Sequence, residues 1–312
     1  MSIRLFLVLT SLGSCAALWA GCGSSSSATG SAFDADSGAA ADARGSAVAS
    51  SGGEDGSSTP PPPAPKVTNE AIKVGSVTRT FVLVVPFTYD PSKKYPLVFA
   101  FHGSYGNGQQ FRDFYKFESG SREAAIVVYP DGVQDNKEWD LDSIPDRNPD
   151  VALFDAMLGG LQATLSIDTA RVFATGWSNG GFFANRLACS RSRSVKAIVS
   201  LSGGAPYDNQ NLLPRWKPDF VKCPNQGGVA SMAIHGIDDP EVSVDSGEFS
   251  AIYWAFVNKC QDSRTSTPPA PCEAYIGCPV DKPSVFCPMP KLGHGIPPAA
   301  AEVAWNFFKT IP

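Results

Sequence analysis

The chain has 312 residues, of which 43% are hydrophobic and 18% charged, and a formal net charge of -5. That length supports one large domain or two ordinary ones with a sizeable core, and folding at this size does not depend on disulfides. The acidic balance leaves no basic surplus for a nucleic-acid partner and disfavours acidic substrates. Glycine (29) and proline (26) are numerous but unevenly placed, so the averages conceal two unlike regions.

Residues 1–22 read as an export signal. Arg4 supplies a positive start, and Leu5 to Ala20 form an apolar run too short and too interrupted to span a bilayer. The stretch Leu18-Trp19-Ala20-Gly21-Cys22 resembles the bacterial lipoprotein signal, in which small residues precede a cysteine that is diacylated and becomes the new N-terminus. The resemblance implies a lipid anchor on Cys22, at the outer membrane or cell surface; the alternative is an ordinary cleaved signal and a secreted protein. Residues 23–65 are mostly Gly, Ser, Ala and Asp and close on Pro60 to Pro63. They bury too little to offset chain entropy and read as a disordered tether, flexible and then stiff, that holds a domain about 30–40 Å from its anchor. Residues 66–312 carry no internal repeat or second linker and are expected to form one domain, as a monomer.

Within that domain, short apolar runs recur at Arg79–Pro86, Tyr95–Phe101, Ala125–Tyr129, Arg171–Thr175, Ala197–Leu201 and Ala230–Ile234. They lack strict alternation, as expected of strands covered on both faces. Helical patterns fall between them. The clearest is residues 151–165, where Val151, Phe154, Leu158, Leu161 and Leu165 recur at three- and four-residue intervals after a capping-type Asp150. Phe249–Val257 and Ala299–Phe308 read as further helices. The expected class is α/β, with a largely parallel central sheet and helices on both faces, and such sheets place their sites at the carboxyl ends of strands.

The chemistry begins after the strand that ends at Thr175. Gly176-Trp177-Ser178-Asn179-Gly180 runs into a helical stretch, the strand, turn and helix context of a G-x-S-x-G nucleophile elbow. Glycines two before and two after the serine let a strained backbone approach its neighbours. A helix-capping serine on a glycine-rich turn is the plainer alternative. A serine hydroxyl needs a base held by a carboxylate, and the chain has three histidines. In this topology serine, acid and histidine follow in that order, which passes over His102 and His235 and leaves His294, in Leu292-Gly293-His294-Gly295 before the last helix. The acid is expected after the strand at 230–234, where Asp238 and Asp239 compete evenly. Two backbone amides should form an oxyanion hole: that of Asn179, and that of Ser104 or Tyr105 in the loop rich in Gly103, Gly106 and Gly108.

Several ordered motifs then match together. Phe99-Ala100-Phe101-His102-Gly103 with Gln109-Gln110-Phe111, Tyr129-Pro130-Asp131-Gly132, Trp139-Asp140, Asp150 to Ala156, Gly176 to Gly181, and His235-Gly236 with Asp239 resemble secreted feruloyl esterases and polyhydroxybutyrate-depolymerase-like hydrolases. The resemblance runs from about Arg79 to the C-terminus and implies an α/β-hydrolase fold. It implies a serine esterase with Ser178, Asp239 and His294 as triad, Ser104 and Asn179 as oxyanion donors, and no cofactor. The implied substrates are feruloyl or cinnamoyl esters of plant cell-wall polysaccharide, with a polyhydroxybutyrate-type polyester or acetyl-xylan as alternatives. A surface lipoprotein that binds without turnover is the alternative of a different kind. Tyr105, Trp139 and Trp177 are candidates for an aromatic wall, of which one is expected to line the site.

Six cysteines remain outside the export segment: Cys189, Cys223, Cys260, Cys272, Cys278 and Cys287. An even number in an exported domain points to disulfides, with 15 possible connectivities. Similarity to feruloyl esterases implies Cys189 with Cys223 and Cys260 with Cys278, which leaves Cys272 with Cys287. Paired short spacings for zinc are lacking. Asp140, Asp142, Asp146 and Asp150 lack the glycine turn and terminal glutamate of an EF-hand, so no metal is expected there.

Overall fold

The computed structural model describes residues 64–132, 137–224 and 227–312. The expected export signal with Cys22, and the tether up to residue 63, lie outside the described residues.

The chain opens with an antiparallel pair, β1 (Lys66–Val74) and β2 (Val77–Val85), followed by β3 (Tyr95–Phe101), α1 (Gly108–Tyr115), α2 (Phe117–Gly120) and β4 (Ile126–Pro130). Then come α3 (Pro149–Thr164), β5 (Ile167–Trp177), α4 (Asn179–Arg191) and β6 (Ala197–Leu201). A small ribbon of β7 (Arg215–Lys217) and β8 (Phe220–Val221) precedes β9 (Ala230–Gly236) and α5 (Val244–Val257). The chain finishes with β10 (Arg264–Ser266), β11 (Glu273–Tyr275), β12 (Ser284–Met289) and α6 (Ala300–Phe308).

Ten strands form one sheet in the order β1-β2-β4-β3-β5-β6-β9-β12-β11-β10. The six from β4 to β12 in that order are mutually parallel, and antiparallel pairs close both edges. The period of two along each central strand feeds two cores. Leu97, Phe99 and Phe101 pack with Val151, Phe154, Phe183 and Trp254 of α3, α4 and α5. Val98 and Ala100 face the other way, toward Phe111, Phe117 and Phe308 of α1, α2 and α6. Both faces are therefore dry, which is why these strands read as continuous apolar runs.

Two local expectations change. Asp150 does not cap α3: Asn148 does, its side chain accepting from the amides of Asp150 and Val151. Asp150 is instead buried against Arg79, with Arg79 Nη2 2.7 Å from Asp150 Oδ1 and side-chain exposures of 2% and 0%. Burial pushes the Asp150 carboxyl up, while the Asp140 amide and the Arg79 guanidinium pull it down less strongly. The second change is in α5, which begins five residues before the Phe249 start read from its apolar spacing, with Ser243 as its cap.

Disulfides join Cys189 to Cys223, Cys260 to Cys278 and Cys272 to Cys287. The first ties α4 to the segment after β8, and the third ties the edge of the sheet to β12, whose exit loop carries His294. Such bonds persist in oxidising compartments, so this is a domain of an exported protein.

Candidate active site

The site is assembled at the carboxyl ends of β3, β5, β9 and β12. Ser178 sits between the end of β5 and the start of α4, at φ 55° and ψ -122°. A non-glycine residue at positive φ costs about 1–3 kcal/mol and persists only where its surroundings enforce it. The enforcement is visible in the glycines. A Cβ on Gly176 would run into the Gly180 carbonyl, and one on Gly180 into the Phe101 carbonyl of β3. The Ser178 amide is held by the Leu201 carbonyl at the end of β6, 2.9 Å away. The Ser178 side chain makes no capping bond to α4, so the serine is not serving as a helix cap.

The hydroxyl instead meets an imidazole. His294 Nε2 lies 2.8 Å from Ser178 Oγ, and His294 Nδ1 lies 2.8 Å from Asp239 Oδ2. A carboxylate only accepts, so Nδ1 carries the proton and Nε2 is left to accept from the serine. The Asp239 side chain is fully buried and that of His294 is 7% exposed. Of the two adjacent aspartates only Asp239 reaches the imidazole. Asp238 is exposed, and its amide donates to the Leu292 carbonyl. Burial pushes the Asp239 carboxyl up. The amides of Val242 and Glu241 and the His294 ring outweigh that and hold it below the usual carboxylate range.

The turn after β9 and the loop after β12 are bound to each other. Ile237 donates to the Met289 carbonyl and Asp238 to that of Leu292, and a Cβ on Gly236 would run into the Leu292 carbonyl. That close approach delivers His294 onto Asp239.

The loop after β3 overlies the serine. A Cβ on Gly103 would stand 2.8 Å from the Trp177 ring and 3.3 Å from Ser178 Cβ. Ser104 is half-buried in this loop, and Tyr105 is 70% exposed at φ 64°. Asn179 occupies the first position of α4, where an amide has no partner within its own helix and the helix dipole favours negative charge.

Trp139, one of the three aromatic candidates of which one was expected to line the site, is buried behind it. It is 3% exposed, stacks on Phe183 and meets Phe101 edge-on. Its indole N–H donates to the His102 carbonyl at 2.8 Å, and its amide donates to Asn179 Oδ1 at 2.7 Å. It is thus a strut between the loop after β3 and the start of α4. His102, passed over in the sequence as out of order, is buried in the same framework. Its Nε2 accepts from the Gly132 amide and its Nδ1–H faces the Gly103 carbonyl. Burial lowers its pKa, which favours this neutral form. Trp177 does border His294: their ring centroids are 5.2 Å apart. Phe114, which sequence reasoning did not single out, extends that surface, 6.5 Å from Trp177 and 64% exposed. The acidic loop is occupied by protein: Asp140 accepts from the amides of Asp142 and Ser143, and Asp150 accepts from Arg79 and the Asp140 amide.

Comparison with known proteins bears on what this arrangement serves. Residues 76–248 match the Esterase family, described as "Putative esterase". The chain is 30% identical over 263 residues to the probable feruloyl esterase C of Aspergillus terreus, covering 78% of this chain and 88% of that protein. It is 32% identical over 213 residues to feruloyl esterase C of Emericella nidulans, covering 65% and 70%. An acetyl xylan esterase from Aspergillus awamori superposes with a TM-score of 0.64 at 17% identity, over 78% of this chain and 99% of that one. The feruloyl esterase module from Clostridium thermocellum, solved as an S954A mutant with sinapinate, superposes with a TM-score of 0.54 at 14% identity, over 81% and 88%. These two structures share its α/β-hydrolase fold. By the extent of the family match and the identity to its relatives, the chain belongs to the Esterase family and is a carboxylic-ester hydrolase.

Proposed function

We propose that Ser178, His294 and Asp239 form the catalytic triad of this esterase and that its preferred substrates are hydroxycinnamoyl esters of plant cell-wall polysaccharide. His294 Nε2 takes the Ser178 proton as Oγ bonds to the ester carbonyl carbon. The amides of Asn179 and Ser104 receive the negative charge that develops on the carbonyl oxygen. Collapse breaks the bond to the alcohol, which leaves with the proton from His294. Water then attacks the acyl-enzyme, with His294 as base, and releases the acid and the free serine. Asp239 keeps the imidazole in its Nδ1–H tautomer and stabilises the imidazolium.

The observation that carries this reading is the continuous chain from Ser178 Oγ through His294 to Asp239, with 2.8 Å at each step. The acyl preference is supported by relatives named feruloyl esterase and by the Phe114 and Trp177 rings beside His294. Tyr105, exposed on the loop after β3, is a further contact for the substrate. The test is Ser178→Ala, expected to lower turnover of methyl ferulate and of 4-nitrophenyl acetate by about a millionfold with the fold intact. Retained turnover would refute the triad. A panel of feruloyl, acetyl and hydroxybutyrate esters tests the preference, and faster release of acetate or hydroxybutyrate would displace the hydroxycinnamoyl assignment. We further infer that the enzyme works as a monomer, held to a membrane only through a lipid on Cys22.

A further inference from the structure

A second imidazole touches the carboxylate that His294 uses. His235 is the penultimate residue of β9, and its side chain is 1% exposed. Its Nε2 is 2.9 Å from the Val242 carbonyl oxygen and 3.3 Å from Asp239 Oδ2. Both neighbours are acceptors, so Nε2 carries the proton and Nδ1 is bare. Nδ1 is buried without a hydrogen-bond partner. It faces Gly247 of α5, where a Cβ would stand 2.5 Å from it. The ring thus fills a space that a missing side chain leaves, in a single tautomer with one usable N–H. Protonation would add a buried Nδ1–H with no acceptor, which is costly. Burial likewise lowers the His235 pKa, against the opposing pull of the Val242 carbonyl and Asp239.

The other contacts of Asp239 explain what that N–H does. Oδ1 accepts from the Glu241 and Val242 amides, which are fixed. Oδ2 accepts from His294, whose charge and hydrogen bonds change at every step of acyl transfer. We propose that His235 is a positioning residue of the esterase site, its Nε2–H shared between the Val242 carbonyl and Asp239 Oδ2 so that the turn and the carboxylate stay in line with His294 Nδ1 while His294 exchanges its proton. The proposal rests on the assignment of Ser178, His294 and Asp239 as the reacting triad. Asp239 and His294 are the titratable groups that face His235; α5 presents Gly247 there and β12 pairs Pro288 with it. Glu241 stands 3.8 Å from His294 Nε2 and is common to every variant below.

Removing a donor makes a carboxylate more basic, which stabilises the neighbouring imidazolium and moves the acid limb of the pH–rate profile to higher pH. The experiment measures kcat and KM for methyl ferulate across pH in the wild type, His235→Leu and His235→Gln. His235→Leu is expected to lower kcat about tenfold with KM unchanged and to move the acid limb upward. His235→Gln, whose amide N–H reaches the Nε2 position, is expected to recover most of both. Wild-type kcat and acid limb in His235→Leu would overturn the proposal, as would a His235→Gln no better than His235→Leu, since packing alone would then explain the loss. Should His235→Leu fail to fold, Gly247→Ala keeps the imidazole and presses a methyl on Nδ1. It is expected to show the same lowered kcat and raised acid limb, and wild-type behaviour there overturns the proposal. An inactive wild type would refute the triad itself, which separates that failure from this one.

Discussion

Asp239 holds an ionised carboxylate where no water reaches it, and the consequences are measurable at the residue itself. Two fixed amides and two imidazoles surround it. Asp239→Asn is expected to lower kcat by about 10⁴ with little change in KM, because the amide no longer selects the Nδ1–H tautomer of His294. The same group gives a signed pH effect on stability. Its folded pKa is depressed below the usual 3.8. Its contribution is therefore fully present above that value and is lost as pH falls through the lower folded pKa. Urea unfolding of the wild type against Asp239→Asn, at neutral pH and near pH 3, is expected to show a stability gap that narrows on acidification. Position along the chain left Asp238 and Asp239 even, since both follow β9 in the same turn, and only the family resemblance favoured Asp239. Which of them reaches the imidazole depends on the backbone bonds of that turn to Met289 and Leu292, a contact with a loop some fifty residues on.

The elements were legible in proportion to how dry they are. β3 and β6 match their apolar runs residue for residue, because both faces of each are covered and nearly every position is apolar. β1 escaped notice because it is an edge strand carrying Lys66, Glu70 and Lys73, the usual protection of an exposed edge. α1 is short and, apart from Phe114, polar on its outer side, and its cap, Asn107, sits in a glycine-rich loop that reads as turn. Where elements approach most closely, one atom matters. Gly236→Ala is expected to push the loop after β12 off the turn after β9, costing about 1–3 kcal/mol in urea unfolding. The displaced imidazole should also reduce kcat at least tenfold, since small misplacement at a reacting group is expensive. Normal kcat in this variant would show that the two loops reach register without the contact.

The molecule as a whole combines a disulfide-braced domain with an N-terminal stretch that reads as signal and tether. Three disulfides, in a chain with no basic surplus, fit an enzyme working outside the cytosol on an uncharged ester. If Cys22 is the anchor, Cys22→Ala is expected to move the enzyme from the membrane fraction to the soluble exported fraction with kcat unchanged. Equal partitioning of variant and wild type on centrifugation would dismiss the anchor. Six cysteines permit many pairings by spacing alone; the three that the resemblance to feruloyl esterases implies are the three observed, and the turn between β11 and β12 brings Cys272 onto Cys287.

The sequence alone determined the α/β class, the glycine-flanked turn that carries Ser178, and the histidine and the pair of aspartates from which the proposed site is drawn. These are legible because they rest on local chemistry: glycines where a Cβ would collide, apolar runs where both faces are dry, and chain order along a parallel sheet. Only the tertiary structure decided how Asp239 is held against His294, that Trp139 is a strut rather than a wall, that Phe114 joins Trp177, and that His235 reaches the carboxylate. Each of those depends on contact between segments far apart in the chain, and the direction of a side chain across such a contact is set by packing that no local pattern encodes.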